Sequence, residues 1–169
     1  HVLLGISAET FWGGANRSAE QRAHVEKLSG RSVSLASDAV DAALKRLGAK
    51  KIAIVAPYQD IGGDQVRQFF GEIGYEVIGV TCLPCASPVA IAEVPPSRTA
   101  GALRELAKSR PDALIQVGTN LSFAADAPKL EAELGLPVIA INTALYRHAL
   151  DALIISGTVE GFGPLLSER

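Results

Sequence analysis

The chain has 169 residues, 48% of them hydrophobic, with 16 basic against 18 acidic side chains. That length suits one substantial core or two small lobes, and the balanced charge without a Lys/Arg stripe excludes nucleic acid as a partner. No run approaches the ~18 apolar residues of a membrane span and no signal-peptide zones open the chain, so the expectation is a soluble, cytoplasmic protein.

Short runs rich in Val, Ile and Leu recur along the chain: "VLLGI" (2–6), "VSLA" (33–36), "IAIVA" (52–56), "VIGV" (77–80), "ALIQV" (113–117) and "PVIAI" (137–141). Their lack of polar alternation predicts strands buried on both faces, the mark of a parallel sheet. Between the runs, Val40, Ala43, Leu44 and Leu47 fall at i, i+3, i+4, i+7, as do Val66, Phe69, Phe70 and Ile73, which predicts amphipathic helices. Gly48 and Gly74 stand where helix C-caps are wanted, and Ser18 with Gln21 makes a capping box for the first helix. Strand followed by helix, six times over, gives an α/β protein with parallel strands and right-handed crossovers.

An internal repeat runs through this alternation. "HVLLGISAETFW" (1–12) lies over "DALIQVGTNLSF" (112–123), about 111 residues apart, which pairs Ser7 with Gly118, Ala8 with Thr119, Glu9 with Asn120 and Trp12 with Phe123. "VSLASDAV" and "VIAINTAL" continue the match. Two related loops at strand ends would then face one cleft. Ligands of open parallel sheets bind outside the carboxyl ends of the strands, where "APYQD" (56–60) also places Tyr58. Gly118, Thr119 and Asn120 read either as a self-capping turn or as donors to a carboxylate or phosphate oxygen; their pairing with residues 7–9 favours the ligand.

Glu9 is the only ionisable side chain in the two matched loops. A carboxyl facing an anion cleft would have its pKa raised by desolvation and like charge, which would suit a general acid or base. It would also suit pairing with a substrate amine, and an outward-turned Glu9 stays open. "CLPC" (82–85) has the spacing of a redox pair or of half a zinc site. His1, His24 and His148 supply no further ligand spacing, and Pro84 and Pro88 predict a loop where a redox motif wants a helix start. Cys85 remains a candidate cleft thiol. "WGG" (12–14) and "GFG" (161–163) read as turns, and neither a dinucleotide fingerprint nor a P-loop follows any strand.

With these residues in view the chain resembles the Asp/Glu racemase superfamily, most closely its arylmalonate decarboxylase and maleate isomerase branch. The resemblance is carried by "ISAETF", "VGTNLSF", "LGAKKIAIVAPYQDIGGDQVRQFF", "LEAELGLPVIAINTA" and "GFGPLL". It implies two pseudo-symmetric, Rossmann-like (flavodoxin-like) lobes around a central cleft: residues 1–42 the remainder of the first, 43–150 the second, and 151–169 a segment returning to the first. It implies a cofactor-independent decarboxylase or isomerase of a small carboxylic or dicarboxylic acid, its substrate held by the 7–9 loop (Ser7, Ala8, Glu9), Tyr58, Gly118, Thr119 and Asn120. Self-association stays open.

The resemblance places the family's two cysteines at Ser7 and Gly118, neither of which is a thiol. Racemisation and isomerisation use those thiols, whereas decarboxylation needs only a donor pocket and one proton source, with Glu9 or Cys85 as the expected acid. A carboxylate-binding protein without chemistry and a C-x-x-C redox protein are the competing expectations. The resemblance also implies a strand and helix before His1, and the chain contains no Met, as expected of a fragment or a chain that has lost its start.

Overall fold

A computed structural model describes residues 1–167. Strand β1 (Val2–Leu3) leads into helices α1 (Ala8–Phe11) and α2 (Gly14–Ser29), followed by β2 (Val33–Ser34) and α3 (Ala36–Leu47). Next come β3 (Lys51–Ala56), α4 (Asp60–Glu72), β4 (Glu76–Cys82), α5 (Pro88–Ala92) and α6 (Pro96–Ala107). The chain closes with β5 (Ala113–Gln116), α7 (Ala127–Leu134), β6 (Val138–Ala140), α8 (Ile141–Ala152) and α9 (Pro164–Ser167).

All six expected strands are present and every pairing is parallel. They form a four-stranded sheet in the order β4-β3-β5-β6 and a two-stranded sheet, β1-β2. The pairing of β1 with β2 mirrors that of β5 with β6, so the repeat seen in the sequence is a repeat of supersecondary structure. No helix among the described residues is long and apolar enough to cross a membrane.

The missing polar alternation has its cause in the central strand. Ile52, Ile54 and Ala56 enter a core shared with α3, α4 and α8, while Ala53 and Val55 enter one shared with Leu103, Leu114 and Leu130 on the opposite face. Residues 52–56 are 0% exposed, so both faces demand apolar side chains. Two strands depart from it, although β2 and β6, which also end their sheets, stay buried. In β1, bonded on one side only, Leu3 is exposed, and β4 is part-buried along most of its length. Burial on both faces, expected for all six runs, thus fails at these two.

The periodic helices bury the expected faces, except that Leu47 is 41% exposed at the end of α3. Gly48 closes α3 in the left-handed conformation, and Gly74 (φ +95°) turns the chain after α4. The Ser18–Gln21 capping box does not form. Helix α2 begins five residues earlier, after left-handed Gly13, and Ser18 shares a buried hydrogen bond with Ser37. Side chains of α4 cap α2 instead, as the Gly13 N–H donates to Gln65 and the Ala15 N–H to Glu72.

Candidate active site

Ser7 ends the loop after β1 and serves as the N-cap residue of α1. Its carbonyl accepts from both the N–H and the hydroxyl of Thr10, at 3.0 and 2.8 Å. Four residues on, Phe11 is buried among Phe69, Phe70 and the helix they belong to, with ring centroids 5.3 and 5.6 Å away. The short helix therefore hangs from an aromatic cluster and holds Ser7 still. Phe11 is the anchor here, and Trp12, which the repeat set opposite the buried Phe123, is half exposed. That part of the match fails because α4 offers its aromatic pocket one residue earlier.

The loop after β5 is fixed from below and from the side. Gln116, 1% exposed, donates its side-chain amide to the carbonyls of Val117 and Gly118, at 2.7 and 2.9 Å. Asn142, in the first turn of α8, donates to the Thr119 carbonyl at 2.9 Å. Gly118 sits at φ +95°, and a Cβ there would lie 2.3 Å from Pro57 Cγ. That backbone is strained for an L side chain, and a proline ring fills the space one would need.

The two loops meet. Thr119 donates its N–H to Ser7 Oγ at 3.1 Å and its hydroxyl to the Gly5 carbonyl at 3.1 Å. Tyr58, just past the end of β3, bonds Ser7 Oγ through its phenol at 2.9 Å. Its ring fits because position 62 is glycine: a Cβ there would be 2.7 Å from Tyr58 Cβ. Burial, opposed by the Ser7 bond and reinforced by the Glu9 carboxylate, pushes the Tyr58 phenol up to about 12. Three segments thus converge on one buried oxygen.

A cavity of about 190 Å3 opens at this point, lined by Ser7, Ala8, Glu9, Tyr58, Gly118, Thr119 and Asn120 among others. Ala8, Tyr58, Pro88 and Ile91 also line an adjoining, more apolar cavity of about 350 Å3 with Trp12, Ile61 and Cys85. The structure therefore brings together the matched loops and Tyr58.

Other sequence-selected groups stand differently. Glu9 is solvent-exposed in the first turn of α1, so the dry surroundings expected for it are not there. The Asn120 amide reaches the Pro88 carbonyl at 3.3 Å. Cys85 lies in a loop and directs its thiol at the Leu83 carbonyl, 3.2 Å away, within the adjoining cavity. Cys82 ends β4, and burial together with Asp60 and Asp64 pushes its thiol up. Both cysteines are free. His1 and His148 share the Ser34 hydroxyl, and no group of three or more His, Cys, Asp or Glu among the described residues could hold a metal ion. Gln116 and Asn142 escaped the sequence reading. Asn142 was within reach, since it opens α8 in the repeat segment "VIAINTAL".

A family model for arylmalonate decarboxylase matches residues 2–166. Maleate isomerases of Geobacillus stearothermophilus and Pseudomonas putida are each 30% identical over 132 and 126 residues, or 75% and 74% of this chain. Those stretches are 51% and 50% of the two relatives, so the chain spans about half the length of the curated proteins it matches. Among solved structures, a liganded double mutant of arylmalonate decarboxylase superposes with a TM-score of 0.93 at 21% identity, covering 98% of this chain and 72% of that one. A Nocardia farcinica maleate cis-trans isomerase mutant with a covalently bound succinylcysteine intermediate gives 0.90 at 24%, covering 97% and 69%. These likenesses establish the α/β fold with its parallel sheets, and the match over residues 2–166 establishes more: the chain belongs to the arylmalonate decarboxylase family.

Proposed function

We propose that the protein is a cofactor-independent enzyme acting on a small carboxylic or dicarboxylic acid, of the decarboxylase or isomerase type. The observation that carries this reading is the meeting of the Tyr58 phenol and the Thr119 N–H at Ser7 Oγ, on the wall of a small cavity that both matched loops line. Hydroxyl and backbone donors aimed at one place suit a carboxylate oxygen, and they suit the same oxygen better when charge builds on it. Loss of carbon dioxide, or of a proton, from the adjacent carbon turns the held carboxylate into an enediolate. Donors fixed beforehand stabilise that anion without reorganising, and a single such donor is worth about 3 kcal/mol of barrier. The relatives support the reading through their names, an arylmalonate decarboxylase and maleate isomerases.

Decarboxylation is the better fit of the two reaction types, because it asks for one proton and one face. With Gly118 at the second matched position there is no side chain to work from the other face. Ser7, Glu9 and Cys85 are the groups from which the proton could come, with Ala8, Tyr58, Gly118, Thr119 and Asn120 forming the wall that holds the acid. The reading has the protein working in the cytoplasm on a free small molecule.

A carboxylate-binding protein without turnover shares the same cleft. A redox role for Cys82 and Cys85 is disfavoured, since the Cys82 thiol is pushed up where a redox-active thiol is pushed down. The test is thermal unfolding of the full-length protein with propionate, phenylacetate, malonate, phenylmalonate and maleate, followed by assay of each ligand for released carbon dioxide and for isomerisation. An acid at ~100 times its Kd raises stability by about 2.7 kcal/mol. Stabilisation with turnover supports the enzyme, stabilisation with none supports the binding protein, and no shift with any acid refutes both.

A further inference from the structure

We infer that the protein has a second ligand site, for a small neutral aromatic molecule carrying one hydroxyl group, in the cavity that the "GFG" segment closes against β6 and α7. The cavity, about 170 Å3, is lined from the end of α3, from α7, from β6 and its approach, from the first turn of α8 and from residues 162–165. It shares no lining residue with the two cavities at the matched loops, so the inference is independent of the proposed carboxylate chemistry.

The closing segment is shaped by its sequence. Gly161 and Gly163 both take the left-handed conformation, at φ +87° and +84°, and a Cβ at Gly163 would crowd the Pro128 Cγ on α7 at 3.3 Å. Glycine lets the strap run this close to the helix. The Val159 N–H then donates to the Leu166 carbonyl at 2.8 Å, which ties the ends of the strap together, and Leu166 is buried beneath it. Phe162, between the two glycines, becomes part of the cavity wall. The motif is a turn, as its sequence suggests, and the turn serves to place a ring.

Two observations point to an occupant. Leu47 and Phe162 are among the few large apolar side chains left exposed, and both line this one cavity. The periodicity of α3 predicts a covered Leu47, and an apolar molecule in the cavity would cover it. Thr143 is the second observation. It is 5% exposed, it stands in the cavity wall, and its hydroxyl has no hydrogen-bond partner among the described residues. A buried hydroxyl left unpaired is costly, and a ligand group that pairs with it removes that cost.

The walls select the chemistry. Leu47, Pro128, Val138, Ile139, Phe162 and Leu165 supply apolar surface. The lining charges among the described residues are one of each sign, Arg46 and Glu131, and Glu131 is engaged by the Val138 N–H at 2.9 Å, so neither an anion nor a cation is favoured. An apolar cavity of about 150 Å3 takes up benzene, which sets the scale at one ring. Thr143 adds one hydrogen-bonding group that can donate or accept, and a phenol answers it. Thr143 also follows Asn142, whose amide holds the Thr119 carbonyl, so the ring would stand one residue from the brace of the active-site loop.

The experiment adds 4-methylphenol to the full-length protein, with toluene as its hydroxyl-free counterpart, and follows both by NMR and calorimetry. Nuclear Overhauser effects run from the phenol ring to the methyl groups of Ile139, Thr143 and Leu165, binding saturates, and 4-methylphenol binds more tightly than toluene. Thr143→Val preserves the shape of the wall and removes the unpaired hydroxyl, so the protein folds, its affinity for 4-methylphenol falls roughly fivefold and its affinity for toluene is unchanged. Leu47→Trp, at an exposed helix end that accepts a larger ring, fills the cavity and abolishes saturable binding of both. Overhauser effects to Ala8 and Ile91 in the cleft instead, binding that does not saturate, or a Thr143→Val protein that prefers 4-methylphenol as strongly as wild type overturns the inference and leaves the carboxylate reading as it was. Should Leu47→Trp fail to fold, the Overhauser effects in the wild-type protein decide alone.

Discussion

Gly118→Ala probes the wall that makes the two halves of the cleft unequal. The added Cβ costs backbone strain at φ +95°, about 1–2 kcal/mol for an L residue in left-handed territory. It also meets Pro57 Cγ at 2.3 Å and Cδ at 2.6 Å, far inside contact distance. The proline ring closes on its own backbone and cannot swing away, so relief requires moving the loop after β3, at a further cost of about 1–3 kcal/mol for overpacking. The sum is about 2–5 kcal/mol. At roughly 2–4 °C per kcal/mol for a chain of this size, the melting temperature drops by about 10 °C. Gly30→Ala is the internal control, since Gly30 has φ +63° with nothing within 4 Å of its Cβ position, so it carries strain without collision. Thermal unfolding followed by circular dichroism, backed by urea titration, reads the difference between the two variants. Equal losses at both positions would show that Pro57 yields freely, and the argument that only one face of the cleft can bear an acid would fail with it.

Alkaline titration provides a second check. Tyr58 and Tyr75 hold their protons more tightly when folded, both chiefly through burial and Tyr75 also through its bond to Asp41. The stabilisation is therefore whole below pH 10 and is lost as pH rises toward 12, with about 2 kcal/mol from Tyr58; tyrosinate absorbance at 295 nm appearing at pH 10 for every tyrosine while the fold persists would contradict it. Phe11→Ala empties the pocket between Phe69 and Phe70 and costs about 3–5 kcal/mol by chemical denaturation. Phenylacetate affinity falls with it, because α1 and Ser7 lose their anchor. Glu9→Gln removes a negative charge from the cleft mouth and tightens malonate binding a few-fold by calorimetry, with the gain shrinking in 0.5 M salt. Weaker malonate binding in that variant would mean that Glu9 attracts rather than repels the acid.

The order of elements was legible because burial on both faces of a parallel sheet leaves a coarse trace, a run of Val, Ile and Leu. The same trace misled at β1 and β4, whose residues are largely apolar yet exposed or only part-buried. Local rules worked where the cause was local, as with Gly48 at the end of α3. They failed where a distant side chain did the local job. Ser18 and Gln21 have the capping spacing, yet α2 starts at Gly14 because Gln65 and Glu72 satisfy its first N–H groups from α4. No spacing rule within residues 13–29 contains that information.

The site shows the same division more sharply. Aligning the chain with itself brought Ser7 opposite Gly118, and the structure joins those loops through the bonds from Thr119. The comparison could not show that the loops would become unlike. Pro57 and Tyr58 are neighbours in one segment, and they act on opposite halves of the repeat: the proline ring forbids a side chain at Gly118, and the phenol shares a hydrogen bond with the Ser7 hydroxyl. A symmetric sequence pattern is thus converted into a one-sided site by a Pro-Tyr pair from the central strand, outside both matched loops. The asymmetry is a property of packing, with a hydroxyl pair on one side of the cavity and a wall that admits no side chain on the other.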